Sequence, residues 1–324
     1  MIKIGYIGVG WIADWHLQAM QRCEGIEVVG AATGSSNRSK FEARCKELKL
    51  QPYPTIEALL ADEQVDAVAI LSPTGLHYEQ CKQALRGGKH ILVEKPVVLD
   101  VEQHRELDAL ARTTGKVIMP GHNFVYRPVV RKAREIIESG ALGAISYASF
   151  RAVHFIADEA ANGWRKDHGV AGGGAMIDSG MHLVYQSLYL MGQPSYFSAF
   201  QAKKHYLQLE NEDIAQISLQ YPDGSIGLIM QSWASNDGSS GEIRIQGDKG
   251  TLLITDALYH DGVRVETDAD YKDSFYHLAC HFVACVEGQA EAVSSMEDAA
   301  VALDIIQQAY EASQQRQVVS FPGK

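Results

Sequence analysis

Along the first third of the chain, short continuous apolar runs alternate with longer stretches in which apolar residues recur at helical spacing. The runs at residues 3–7, 27–32, 67–71, 90–93 and 117–120 predict strands. The stretches at 13–22, 39–48, 56–61, 77–87 and 101–113 predict amphipathic helices between them. Strands separated by helices imply parallel pairing through right-handed crossovers, so this part is expected to be an α/β, doubly wound Rossmann domain.

After about residue 145 the pattern changes. Ala215, Ile217, Leu219 and Tyr221 alternate with Gln216, Ser218 and Gln220, the period of a sheet wet on one face. Pro222-Asp223-Gly224-Ser225 and Gly247-Asp248-Lys249-Gly250 are hairpin turn signals. Helices are expected over 275–286 and 297–313, with a last strand at 318–321. A chain of 324 residues is long for one core. Two domains are therefore predicted: 1–121, the Rossmann domain, and 122–324, an α+β domain with a largely antiparallel open sheet.

Composition narrows the partners. Hydrophobic residues at 46% and charged residues at 21% describe an ordinary globular protein. A net charge of -11 without any basic run argues against nucleic acid and against an anionic membrane surface. No apolar stretch approaches the length of a membrane helix, and the chain opens directly on a strand with no leader pattern, so a soluble, cytoplasmic protein is expected. The five cysteines, Cys23, Cys45, Cys81, Cys280 and Cys285, are irregularly spaced and read as reduced thiols. His277 and His281 share a helix face, but the apolar stripe Phe275, Leu278, Phe282 and Val286 reads as core; no metal is expected.

The chemistry begins at Gly8-Val9-Gly10-Trp11-Ile12-Ala13, a G-x-G-x-x-A turn between a strand and a helix. Gly8 permits the tight turn and Gly10 a close backbone approach to a pyrophosphate. The helix start at Trp11 and Ile12 presents N–H groups to it. At the end of the second strand, where NAD sites usually carry a carboxylate, stands Thr33. With Ser35, Ser36 and the Arg38 guanidinium it can form a pocket for a 2′-phosphate, which predicts NADP in preference to NAD.

Further along, Glu94-Lys95-Pro96 ends a strand and places Lys95 at the ligand-binding edge of the sheet. In the second half, Gly172-Gly173-Gly174 precedes a predicted helix on which Asp178 and His182 share a face with Tyr185 and Tyr189, beside an apolar stripe of Ile177, Met181, Val184, Leu188 and Met191. The three glycines permit close backbone approach. Arg151 and His154, in the strand-like stretch 146–155, are expected on opposite faces.

The glycine turn, Glu94-Lys95-Pro96 and the G-G-G-x-x-x-D-x-G-x-H run together resemble the glucose-fructose oxidoreductase/inositol dehydrogenase (Gfo/Idh/MocA) family. Ser72-Pro73-Thr74 with His77, and Trp164-Arg165, are further matches. The resemblance implies hydride transfer between a nicotinamide and a hydroxyl or keto carbon of a sugar, cyclitol or related polyol. It gives Lys95 and His182 the proton transfer and Asp178 the orienting of substrate. It also implies that Ser72, Pro73, Thr74, His77 and Glu94 border the cofactor, with Glu94 on the nicotinamide ribose, and that Tyr126, His154, Trp164 and Arg165 lie on the substrate side. A homodimer or homotetramer through the second-domain sheet follows from the same resemblance. The alternatives are a non-catalytic dinucleotide-binding regulator and a glycosidase using NAD for transient oxidation. Lys95, Asp178 and His182 favour the dehydrogenase over the regulator, since a sensor has no use for proton-transfer groups.

Overall fold

The first apolar run folds as β1 (Ile2–Ile7), with Ile4, Tyr6 and Ile7 fully buried, as befits a strand covered on both faces. This is a computed structural model, and it describes residues 1–235, 241–267 and 271–321. β1 pairs on one side with β2 (Ile26–Ala32), which carries β3 (Gln51–Pro52). On its other side follow β4 (Ala67–Ile70), β5 (His90–Val93) and β6 (Ile118–Pro120). The six-stranded sheet is parallel, in the order β3-β2-β1-β4-β5-β6. That order reverses between β1 and β4, and ligands of such sheets bind at the carboxyl ends beside the reversal. β3 has no counterpart in the sequence reading, because two residues are too few to show a period.

The crossovers are α1 (Ile12–Arg22), α2 (Arg38–Leu48), α3 (Ile56–Ala61), α4 (His77–Arg86) and α5 (Val101–Thr114). Three of the starts carry a side-chain cap: the Asn37 side chain accepts the Lys40 N–H, the Thr55 hydroxyl that of Ala58, and the Asp100 carboxylate those of Glu102 and Gln103. α1 buries Ala13, His16, Leu17 and Met20 along one face.

The chain forms two compact units: Met1–Asn123 with Lys272–Ala299, and Phe124–Tyr271 with Ala300–Lys324. The sequence division at residue 121 leaves 272–299 in the second domain; the structure packs this segment on the first. The reason is the apolar stripe of α8 (Tyr271–Val286), whose Phe275, Leu278 and Phe282 are buried. Phe275 stacks on Trp15 and meets His16 edge-on, at ring-centroid distances of 6.0 and 5.1 Å. Farther along, the Ser294 hydroxyl donates to the Pro120 carbonyl over 2.8 Å.

In the second unit, α6 (Pro128–Glu138) precedes β7 (Ile145–Val153), and α7 (Met181–Met191) precedes β8 (Tyr196–Ala202). Next come β9 (Ile214–Gln220), β10 (Ile226–Ser232), β11 (Glu242–Gly247), β12 (Thr251–Ile254), β13 (Leu258–His260) and β14 (Val263–Val265). After α9 (Met296–Gln315), β15 (Val319–Ser320) joins the edge. The nine strands run β14-β13-β12-β11-β7-β10-β9-β8-β15. Only the β7–β10 pair among them is parallel. Along β9, Ala215, Ile217 and Leu219 are buried while Gln216, Ser218 and Gln220 are not, the alternation expected of a half-wet sheet. Registered rows cross the opposite face, such as Phe200, Gln216, Met230, Arg151 and Glu242.

Candidate functional site

In the first unit, the carboxyl ends of β1, β4 and β5 carry the predicted cofactor residues. Gly8 has φ of 99°, and a Cβ there would stand 3.0 Å from the backbone of Leu71 and Ser72. Only glycine fits that turn. A Cβ on Gly10 would meet nothing within 4 Å, so this stretch of backbone is open to an approaching group. Trp11 caps α1 without a side-chain hydrogen bond to the helix start, and its indole is 64% exposed. The open glycine and the uncapped helix start fit a pyrophosphate. Arg44 braces the turn by donating to the Val9 carbonyl over 3.3 Å and by pairing with Asp14.

The predicted 2′-phosphate pocket is differently disposed. Thr33 Oγ1 accepts the Ser35 N–H, and Ser35 Oγ accepts the Asn37 N–H, so both hydroxyls shape the loop. Arg38 donates from Nε to Glu42 over 2.7 Å and from Nη1 to the carbonyls of Tyr53 and Pro54. Its guanidinium is thus partly taken up in tying α2 to the loop before α3. Ser36 is exposed at the same rim.

Glu94 and Lys95 follow β5. Glu94 Oε1 lies 2.7 Å from His16 Nε2, and Oε2 accepts the Lys95 N–H over 3.2 Å. Burial works to raise the Glu94 carboxyl, but the His16 hydrogen bond and the nearby charges of His16, Lys95 and His77 hold it below the usual range. The Lys95–Pro96 peptide is cis. His77 is buried, with Nδ1 2.9 Å from the Pro96 carbonyl and Nε2 2.8 Å from that of Ser72. It therefore clamps the Ser72-Pro73-Thr74 loop to the segment after Lys95. Ser72 donates to Gln80 over 2.5 Å, and Thr74 is buried at the start of its turn. Burial lowers the His77 imidazole.

The second unit brings Asp178, Arg165, Trp164, His154 and His182 into one neighbourhood of its fold. Arg165 Nε donates to Asp178 Oδ2 over 2.5 Å, both side chains being about five-sixths covered at 16% and 17% exposure. The guanidinium lies over the Trp164 ring, 4.5 Å from its centroid. His154 stands just beyond β7, so it is not in strand alternation with Arg151. Burial lowers its imidazole and the charge of Asp178 opposes this. His182 packs on Phe124 at a ring-centroid distance of 4.2 Å, and Phe124 in turn meets Tyr271.

Four expectations are corrected here. Asp178 is not on one continuous α-helix with His182: it lies in a π-helical turn, Met176–Gly180, that leads into α7. A wider turn of this kind re-aims side chains and is frequent at functional sites. Next, the expected apolar stripe is displaced: Leu188 and Met191 are only partly buried, whereas Leu183, Tyr185, Gln186, Ser187 and Leu190 are buried along with Ile177, Met181 and Val184. Tyr126 is also core, at 1% exposure. Finally, the close approach at the glycines is made by protein: a Cβ on Gly174 would sit 1.8 Å from the Glu212 carbonyl oxygen.

Glu212, like His16 beside Glu94, is absent from the sequence reading. Its carboxylate accepts the N–H groups of Gly174 and Met176 at 3.0 and 2.9 Å and the Tyr310 hydroxyl at 2.9 Å, fixing the start of the π turn. Burial pushes its carboxyl up, against these hydrogen bonds. Trp233 Nε1 donates to Ser179 Oγ over 3.0 Å from the other side. His16 was discoverable from its place on the buried face of α1. Glu212 was not, because the run Glu210-Asn211-Glu212-Asp213 reads as a solvated turn.

Among the described residues no helix is long and apolar enough to cross a membrane, and no three His, Cys, Asp or Glu side chains are grouped as a metal site.

Residues 2–122 match the profile of the GFO_IDH_MocA oxidoreductase family, NAD-binding Rossmann fold, and residues 130–253 that of a GFO/IDH/MocA C-terminal domain. The chain is 25% identical over 304 residues to scyllo-inositol 2-dehydrogenase (NADP(+)) IolU of Bacillus subtilis, covering 89% of each chain. It is 34% identical over 184 residues to 1,5-anhydro-D-fructose reductase of Ensifer adhaerens, covering 56% of this chain and 54% of that one. It thus spans about half the length of some curated relatives, as also with 55% of an uncharacterized Bacillus subtilis oxidoreductase. Levoglucosan dehydrogenase, solved with NADH and levoglucosan, has the same fold, with a TM-score of 0.89 at 20% identity over 99% of this chain and 100% of that one. With its Rossmann sheet, its mixed second sheet and both profiles matched, the chain belongs to the Gfo/Idh/MocA family of oxidoreductases.

Proposed function

We propose that this enzyme is an NAD(P)-dependent dehydrogenase or reductase of a sugar, cyclitol or related polyol, in which Lys95 and His182 handle the proton and Asp178 orients the substrate. The observation that carries the reading is Asp178, gripped by Arg165 on the π turn that leads into the helix of His182. A carboxylate beside a guanidinium matches the paired acceptors and donors of vicinal hydroxyls. The nicotinamide, when bound, supplies or takes up the hydride. An alcohol giving up a hydride also gives up its hydroxyl proton; imidazole titrates in the working range, and a lysine ammonium polarises the oxygen. Glu94, held by His16, offers a carboxylate to a ribose hydroxyl.

For the dinucleotide we favour NADP. Thr33 leaves no carboxylate to repel a 2′-phosphate, and Ser36 with the Nη2 side of Arg38 supplies donors at the same rim. Titration with NADPH and NADH checks this, and tighter binding of NADH rejects it. The wet face of the second sheet exposes Tyr196, Phe200 and Ile226, which supports self-association there as a homodimer or homotetramer. Light scattering of the wild type and Phe200→Asp reads that state directly.

The reaction is tested with a panel of polyols and ketoses and both cofactors, followed by reduced-nicotinamide absorbance. On the best substrate, Lys95→Ala and His182→Ala are each expected to lose roughly a hundredfold or more in kcat. Full turnover by either variant, with dinucleotide binding intact, sinks the assignment.

A further inference from the structure

The sequence presents five scattered cysteines, yet the first unit brings two of them together from positions 257 residues apart: the sulfurs of Cys23 and Cys280 stand 2.7 Å from each other. Cys23 ends α1, and Cys280 lies in α8. The two helices are already fastened beside this pair. Trp15 and His16 pack on Phe275, Arg22 bonds Asp273 at 2.7 Å, and the Arg22 guanidinium covers the Tyr276 ring at 4.7 Å. A disulfide has its sulfurs about 2.05 Å apart. Closing the remaining gap asks for side-chain adjustment alone.

We propose that Cys23 and Cys280 form a site of reversible oxidation, joined by peroxide into a disulfide that staples α8 to the helix bearing the glycine turn. Cys280 is the more accessible of the two, and Cys23 is buried. Burial, with the hydrogen bond and charge of Cys280, also pushes the Cys23 thiol up, so little of it is thiolate. Cys280 is accordingly the thiol that peroxide meets first. Its thiolate sulfur takes one peroxide oxygen, the O–O bond breaks, and the leaving hydroxide is protonated to water. The resulting sulfenic acid is then attacked by the Cys23 sulfur, the S–O bond breaks, and a second water leaves. In sum, two thiols and one hydrogen peroxide give one disulfide and two waters. Thiols of the glutathione class reverse it by exchange. Because the helices need no rearrangement, the bond acts as a staple and leaves the glycine turn in place.

The full-length protein, treated with hydrogen peroxide, capped with maleimide and digested without reductant, tests this by mass spectrometry. The expected product is a Cys23 peptide joined to a Cys280 peptide, released by dithiothreitol, with Cys45, Cys81 and Cys285 still carrying maleimide after unfolding. Oxidation should raise the unfolding midpoint by a few degrees in the wild type and not in Cys280→Ser, and change the NADPH dissociation constant by less than about twofold. Cys280 running on to sulfinic acid, linking to another cysteine, or staying free while peroxide oxidises exposed methionines overturns the proposal. A tenfold loss of dinucleotide affinity on oxidation overturns the staple and makes the bond a switch. Should Cys23→Ser fail to fold, Cys280→Ser at its partly buried position carries the comparison alone.

Discussion

The carboxyl edge of the first unit's sheet and the Asp178 neighbourhood of the second, the two regions proposed to meet cofactor and substrate, are built by opposite means. The first uses backbone. Gly8 spends its own N–H on the Ala32 carbonyl and makes the turn, while Gly10 and the start of α1 offer N–H groups whose placement follows from a few consecutive residues at the end of one strand. The second uses side chains that arrive from far apart. Asp178 is met by Arg165, Ser179 by Trp233, and the π turn beneath them rests on Glu212 and Tyr310. A site built of local backbone is robust to what surrounds it, whereas one built of buried polar partners stands only while each partner is present.

That contrast can be broken. Glu212→Ala strands the N–H groups of Gly174 and Met176 and the Tyr310 hydroxyl, each worth about 1–3 kcal/mol when buried and unpaired, so a loss of about 4 kcal/mol is expected. Chemical denaturation measures it, and Glu212→Gln, which keeps an acceptor, should recover much of the loss. A change under about 1 kcal/mol for Ala would mean that the second site does not depend on its buried support.

Gly8→Ala probes the other side. The alanine meets both a positive φ and backbone atoms at 3.0 Å, and about 2 kcal/mol is expected to appear as a tenfold or greater weakening of NADPH binding. Calorimetric titration reads this effect, and unchanged affinity would remove the turn from the cofactor site.

The smallest effect sharpens the contrast within the first unit, where one buried pair does resemble the second site. Glu94 is held below its ordinary range chiefly by His16, so its ionised form contributes stability that is present above the unfolded glutamate pKa and lost as pH falls through the lower folded value. Unfolding midpoints followed into acid should therefore drop more steeply for the wild type than for Glu94→Gln. Parallel curves would show that the His16 contact carries no net stability.

How much was legible follows the same line. The strands and helices of the Rossmann sheet lie within a residue or two of the expected positions, since each carries its own period. The second sheet was legible at β9 through its strict alternation, while the short β13 and β14 have too few residues to announce themselves. Lys95, Asp178 and His182 stood out because motif residues keep fixed spacings. Arg38 illustrates the limit. Its sequence position suits a phosphate contact, but Glu42 and two loop carbonyls compete for the same guanidinium.

By itself, the sequence determined the parallel sheet, the glycine turn at its reversal point and the motifs by which the chain resembles its oxidoreductase family, because these depend on neighbours along the chain. Tertiary structure alone decided that α8 returns to the first unit, that Glu212 supports the π turn, that Arg165 takes hold of Asp178 and that Cys23 meets Cys280. Those pairings join residues as much as 257 positions apart. Such contacts are set by which surfaces must be buried together, and no local period records them.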